Sequence, residues 1–216
     1  MNLAVACGSP RCVLRTGRLR NLRTVTETVL SPTPREQLRD LIKELSVVHG
    51  KVTLSSGKEA DYYVDLRRAT LHHRAAPLIG HVLLDALEEA GLGPGEIDAV
   101  GGLTLGADPI ATALLHAAAS RGLDLDAFVV RKAAKAHGMQ RQIEGPSIEG
   151  RRVVILEDTT TTGGSPITAI EAARAAGAEV VAVATIVDRN TGAKEKIEAY
   201  DVSYHYLFDL ADLDLV

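Results

Sequence analysis

Val153-Val154-Ile155-Leu156-Glu157-Asp158-Thr159-Thr160-Thr161-Thr162-Gly163-Gly164-Ser165 is the stretch that decides how this chain is read. Four apolar residues in a row, without alternation, predict a strand covered on both faces, and hence a parallel sheet flanked by helices. The strand runs into two adjacent carboxylates, then a Thr/Gly-rich loop that opens a helix at Ser165. In open α/β sheets, ligands bind at the carboxyl ends of strands, where a helix N-terminus presents free N–H groups and the positive end of its dipole. Successive amides over Thr161–Ser165 can form an anion nest, to which the Thr and Ser hydroxyls add donors. Such a nest suits a phosphate monoester. Glu157 and Asp158, as acceptors, suit the vicinal hydroxyls of a ribose beside it. The stretch lacks both the Gly-Lys-Ser/Thr ending of a triphosphate P-loop and the G-x-G-x-x-G spacing of a dinucleotide fold, so its target reads as a ribose 5-phosphate. The plain alternative is an ordinary strand–turn–helix with two solvated acids.

Outward from this stretch, the same alternation continues. Toward the N-terminus, Ile97–Gly101 and Ala127–Arg131 read as strands and Pro109–Ser120 as a helix; beyond the loop, a helix over Ser165–Ala176 leads to a β-branched run at Glu179–Val187. Order is expected from Ser31. Thr33-Pro34-Arg35-Glu36 sets a Thr N-cap, a Pro at the first helical position and a Glu three residues after the cap. Leu38, Leu41, Ile42 and Leu45 then recur at helical spacing to about Ser46. Lys51–Leu54 and Asp61–Leu66 read as a hairpin around Ser55-Ser56-Gly57-Lys58, and Pro77–Ala90 as a further helix stopped by Gly91. The expected organisation is a flexible basic arm over 1–30 and one α/β domain over 31–216, whose mostly parallel central sheet is flanked by helices and carries a small N-terminal hairpin hood.

Composition narrows the classes. With 46% hydrophobic and 24% charged residues among 216, the chain is of ordinary globular type. No apolar run approaches the roughly 18 residues of a membrane span. Residues 1–23 hold five arginines and no acid, leaving 19 basic against 28 acidic residues in the remainder, a net −9 that offers no pull toward nucleic acid. Both cysteines, Cys7 and Cys12, lie in that arm, which excludes a disulfide-stapled scaffold for the rest. The arm is a poor secretory signal, because its arginines follow the short apolar stretch rather than precede it.

The central stretch resembles the phosphoribosyl-pyrophosphate signature of the type I phosphoribosyltransferases, and four further segments resemble the orotate-specific branch of that family. These are Ser56–Asp65, similar to a base-covering hairpin; Gly101–Pro109, similar to a diphosphate loop; Arg131-Lys132-Ala133-Ala134-Lys135-Ala136-His137-Gly138, similar to a mobile cationic lid; and Val187-Asp188-Arg189-Asn190. Together they span Ser31–Val216. The resemblance implies catalytic roles for Lys135, His137 and Asp158. It implies contacts to phosphoribosyl pyrophosphate from Arg131, Lys132, Lys135, His137, Glu157, Asp158, Thr159, Thr160, Thr161, Thr162, Gly163, Gly164 and Ser165. Thr161, Arg189 and Tyr63 are implied at the orotate base, with Arg189 offering its planar fork to the base's carboxylate. Where many bacterial members carry a lysine before the hairpin Ser-Gly and another in the diphosphate loop, this chain has Ser55 and Gly106.

The implied reaction moves a 5-phosphoribosyl group to N1 of orotate, giving orotidine 5′-monophosphate and pyrophosphate, a step of pyrimidine (UMP) biosynthesis. The resemblance further implies Mg²⁺ held mainly through substrate oxygens, with no dedicated protein metal site. It also implies a cytoplasmic homodimer whose lid closes over the neighbouring subunit's site, with neither nucleic acid nor membrane as partner. Two other readings stay open at this point: a phosphoribosyltransferase for another base, and a regulatory protein that binds phosphoribosyl pyrophosphate. The latter would need a DNA-reading module, for which the roughly thirty residues before the first helix are too few.

Overall fold

The computed structural model describes residues 31–53, 59–132 and 142–215. The chain divides into two compact units, Met1–Ser31 and Pro32–Val216, and every described helix and strand lies in the second. Expectations for the arm 1–30, for Ser55 and for the lid residues Lys135 and His137 fall outside the described residues.

Helix α1 (Pro34–Ser46) begins at the expected capping box. The Glu36 N–H donates to the Thr33 hydroxyl (3.2 Å), and the Thr33 N–H donates back to the Glu36 carboxylate (2.7 Å). Strand β1 (Val47–Thr53) follows without a linker and pairs antiparallel with β2 (Glu59–Val64) to form the small hood. The hairpin starts earlier than Lys51 because the β-branched pair Val47-Val48 opposes Val64 and Tyr63. After β2 come α2 (Arg67–Thr70), α3 (Ala75–Glu89), β3 (Ala99–Leu103), α4 (Ala107–Ser120), β4 (Asp126–Val130) and β5 (Ile143–Glu144). The remainder is β6 (Arg152–Thr160), α5 (Gly164–Ala175), β7 (Glu179–Asp188), α6 (Ala193–Glu198) and β8 (Ser203–Asp209).

The main sheet has the order β5-β4-β3-β6-β7-β8, parallel throughout except for β5, which runs antiparallel to β4. Its two faces carry two cores. Val154 and Leu156 join the cluster built with α1, α3 and α4, whereas Val153 and Ile155 join the one built with α5. Successive residues of β6 therefore point to opposite, equally buried faces, which is why the run is apolar without alternation. Each such aliphatic side chain contributes on the order of 2 kcal/mol by leaving water.

The order also fixes where a ligand can enter. The β3–α4–β4 unit winds to one side and β6–α5–β7 to the other, so β3 and β6 flank a topological switch point. β3 pairs with β6 only from Ala99↔Val153 to Gly101↔Ile155, while β7 stays paired with β6 as far as Thr160↔Asp188. Beyond Ile155 one edge of β6 is open. β6 thus runs four residues further than the apolar stretch alone predicts. Glu157, Asp158, Thr159 and Thr160 are strand residues held by β7, and the true loop is confined to 161–163.

Candidate active site

A cleft of about 350 Å³ lies at this opening. Its floor is the open edge of β6 (Glu157, Asp158, Thr159), with Thr161 and Ser165 from the loop and first turn of α5. One wall is the β3–α4 connection Leu103–Gly106, another is Tyr63–Arg67 below the hood, and Arg189 and Lys132 complete it. Of the residues expected at the site, Tyr63, Lys132, Glu157, Asp158, Thr159, Thr161, Ser165 and Arg189 meet around this one cleft.

The loop is shaped by Gly163, the residue before α5, whose φ of +81° lies in the left-handed region that glycine enters without penalty. A side chain there would also press on Ile197 at 3.3 Å. Loop and β7 turn are joined to each other: the Arg189 N–H donates to the Thr160 carbonyl (3.0 Å), and the Thr191 hydroxyl donates to the Thr161 carbonyl. The Asp188 carboxylate accepts from the Asn190 N–H (3.0 Å), closing the turn that presents Arg189.

The two acids fold back on their own main chain. The Asp158 N–H donates to Glu157 Oε1 (3.1 Å), and the Thr159 N–H donates to Asp158 Oδ1 (2.6 Å). Burial first, and then the neighbouring Asp158 charge, push the Glu157 carboxyl up to about 8. At neutral pH this arrangement therefore favours a proton on Glu157. The Thr159 hydroxyl is buried and has no hydrogen-bond partner among the described residues.

Two of the implied residues have side chains already partnered within the protein. Thr160 is implied among the phosphate contacts, but it is 1% exposed and its hydroxyl donates to Thr185 (3.0 Å), whose own hydroxyl donates to the Glu157 carbonyl (3.1 Å). Strand pairing with Asp188 turns its side chain into the core, where through Thr185 it helps hold the acid pair's backbone. Arg131, implied at the diphosphate, faces Glu144 on β5 at 3.5 Å and does not line its own chain's cleft. Thr162, Gly163 and Gly164 also stand outside the lining, Gly163 acting through the backbone turn it permits.

Sequence reasoning misses Arg67. Its one signal is an arginine two residues after Asp65 at the end of the hairpin strand. Gly106, in contrast, acquires a reason. A Cβ there would stand 2.2 Å from Glu157 Oε1, so the Glu157 carboxylate occupies the space that any side chain at 106 would need.

A strand–turn–helix, two adjacent acids and three cationic side chains thus share one cleft at the switch point of a hooded parallel sheet, the architecture of the type I phosphoribosyltransferases. The sequence profile of the phosphoribosyl transferase domain family matches residues 70–207. The orotate phosphoribosyltransferase of Streptomyces avermitilis is 66% identical over 182 residues, 84% of this chain and 97% of that one. A crystal structure of the Mycobacterium tuberculosis orotate phosphoribosyltransferase superposes with a TM-score of 0.75 at 57% identity, covering 84% of this chain and 99% of the other. A further structure of that enzyme, in complex with 5-phospho-α-D-ribosyl 1-diphosphate, gives a TM-score of 0.73 at 51% identity, covering 85% and 100%. The chain belongs to the orotate phosphoribosyltransferase family.

Proposed function

We infer that this chain catalyses transfer of the 5-phosphoribosyl group from phosphoribosyl pyrophosphate to N1 of orotate, releasing pyrophosphate and forming the UMP precursor orotidine 5′-monophosphate. The observation that carries this reading is the cleft itself, whose lining brings together Thr161 and Ser165 of the turn, the acid pair Glu157–Asp158 and Arg189. The amides of the 161–165 turn grip the 5′-phosphate. Glu157 and Asp158 accept hydrogen bonds from the ribose hydroxyls, and the Asp158 carboxylate favours the positive charge that develops on the ring as diphosphate departs. Arg189 faces the C6 carboxylate of orotate with a two-pronged donor, a preference that uracil and purines do not satisfy. The protein's contribution is positioning and electrostatics, with no covalent enzyme intermediate.

The donor set at the floor, two carboxylates with hard oxygens, is too small to cage a metal by itself and suits Mg²⁺ bound mainly through substrate oxygens, with Glu157 and Asp158 reaching it through water. When bound, the ion would neutralise charge on the leaving diphosphate. We further propose a cytoplasmic homodimer in which Lys135 and His137 of one subunit close over the other's cleft. Supporting the subunit contact, Leu71 is 72% exposed beside an apolar groove of about 630 Å³ between α2, α3 and α4. Among the described residues no helix is long and apolar enough to cross a membrane.

The test is loss of orotate absorbance with Mg²⁺ present. Consumption is expected only when phosphoribosyl pyrophosphate is added. Turnover of adenine or uracil with orotate untouched would overturn the assignment.

A further inference from the structure

We propose that Arg67 is a diphosphate-binding residue of the cleft. The proposal rests on the reaction inferred above and assigns a cation to its leaving group.

The cleft has a charge problem. Asp65 and Asp158 line it as acids, and its ligand brings a phosphate monoester, a diphosphate and a carboxylate. Against these the described lining offers three cationic side chains, Arg67, Lys132 and Arg189. Arg189 stands on the β7 turn and is committed to the base. A Cβ at Gly106 would stand 2.2 Å from Glu157 Oε1, so no side chain can join from that position while Glu157 keeps its place. Arg67 and Lys132 are then the described lining cations open to the diphosphate.

Arg67 has the geometry for that role. Its Nε donates to Asp65 Oδ1 (2.9 Å), and its own backbone N–H donates to the same oxygen (3.3 Å). One carboxylate therefore fixes the base of the side chain while the two terminal nitrogens have no protein partner among the described residues. The Asp65–Arg67 pair is half open to water, with the arginine side chain 49% exposed, so as a surface ion pair it contributes little to stability. The cationic form is favoured first by Asp65 and then, more weakly, by Tyr63 and Asp158. Arg67 follows the hood strand β2 and shares the lining with Thr104, Leu105 and Gly106 of the β3–α4 connection. A planar guanidinium with its outer edge free matches adjacent phosphate oxygens bidentately. Arg68 is exposed but lies outside the cleft, and serves as a control of equal charge.

The experiment is titration calorimetry with two probes, inorganic pyrophosphate and ribose 5-phosphate, Mg²⁺ supplied throughout. Arg67→Gln is expected to weaken pyrophosphate about ten- to a hundredfold, the range for charge-assisted hydrogen bonds. Ribose 5-phosphate should stay within about twofold, because its phosphate sits in the 161–165 turn. Arg67→Lys should fall between, keeping charge without the fork, and Arg68→Gln should match the wild type. Unchanged pyrophosphate affinity in Arg67→Gln overturns the proposal. So does an equal loss of both probes, which signals general damage, or an equal loss in Arg68→Gln, which signals bulk charge. Wild-type protein that binds neither probe would instead sink the functional reading itself.

Discussion

Replacing Gly106 by alanine should separate catalysis from stability. The added methyl would sit 2.2 Å from Glu157 Oε1 and 3.2 Å from Asp158 Oδ1. Ordinary contact needs about 3.5 Å, so the Glu157 carboxylate must retreat by about 1 Å. The atom that moves is the end of a flexible side chain, and an off-rotamer χ costs about 0.5–1.5 kcal/mol. The backbone at 106 is right-handed helical (φ −64°, ψ −48°), which alanine accepts, and the loss of glycine's unfolded-state freedom returns about 0.4–1 kcal/mol. Stability should therefore be nearly unchanged, with Tm within a few degrees. Catalysis should not be spared, since a 1 Å misplacement of a positioned group costs about a hundredfold. Steady-state kcat/KM for phosphoribosyl pyrophosphate, measured beside a thermal melt, reads both. Gly106→Lys should do no better, because the clash occurs at Cβ before the amine can help. Wild-type kcat/KM in Gly106→Ala would refute the use of Glu157 where it stands.

Further outcomes are expected from the same geometry. Because burial and Asp158 raise the Glu157 carboxyl to about 8 from an ordinary value of 4.5, the native state favours its protonated form and loses that advantage as pH rises through this window. Glu157→Gln, which stays neutral, should gain a few degrees of Tm over wild type between about pH 5 and pH 8 and no more above it; parallel Tm–pH curves would contradict the assignment. Arg189→Ala should raise the KM for orotate by about ten- to a hundredfold while leaving that for phosphoribosyl pyrophosphate within about threefold, and Arg189→Lys should recover little. An equal rise in both constants would argue for collapse of the β7 turn instead. Mixing inactive Lys135→Ala and Arg189→Ala proteins should restore part of the activity through hybrids with one intact site; exchange of subunits without recovery would rule out a lid acting in trans.

Much of the fold is readable in the sequence because local and long-range signals agree. The capping box at Thr33–Glu36, the unbroken apolar run at Val153–Leu156 and the positive-φ glycine at 163 each state in one place what tertiary structure confirms. The elements that go unread are those whose existence depends on a partner. β5 is two residues long and exists by pairing with β4, and β8 is a strand because β7 lies beside it. Thr159 and Thr160 read as loop, yet β7 holds them in the sheet. That is also why Thr160 reads as a phosphate contact: composition shows a hydroxyl but not the face it points to. Arg67 is invisible for the opposite reason. An arginine after a hairpin strand is ordinary until the fold brings it to the same cleft as Arg189.

The cleft's chemistry is at root a matter of unpaired backbone. Where β3 stops pairing at Gly101↔Ile155, the next N–H groups of β6 lose their ladder on that side. The acids meet two neighbouring main-chain donors, Asp158 N–H to Glu157 Oε1 at 3.1 Å and Thr159 N–H to Asp158 Oδ1 at 2.6 Å, of which alternation along the strand puts only one on that edge. A ribose bound across this edge must therefore compete with main-chain donors for the same oxygens. β7 keeps the other edge rigid through Thr185, whose hydroxyl ties to the Glu157 carbonyl, so the acids can turn toward a ligand without the strand itself moving. The same strand is thus fixed on one side and free on the other. A parallel sheet provides that combination at its switch point, and a continuously paired sheet would leave no such edge for the sugar.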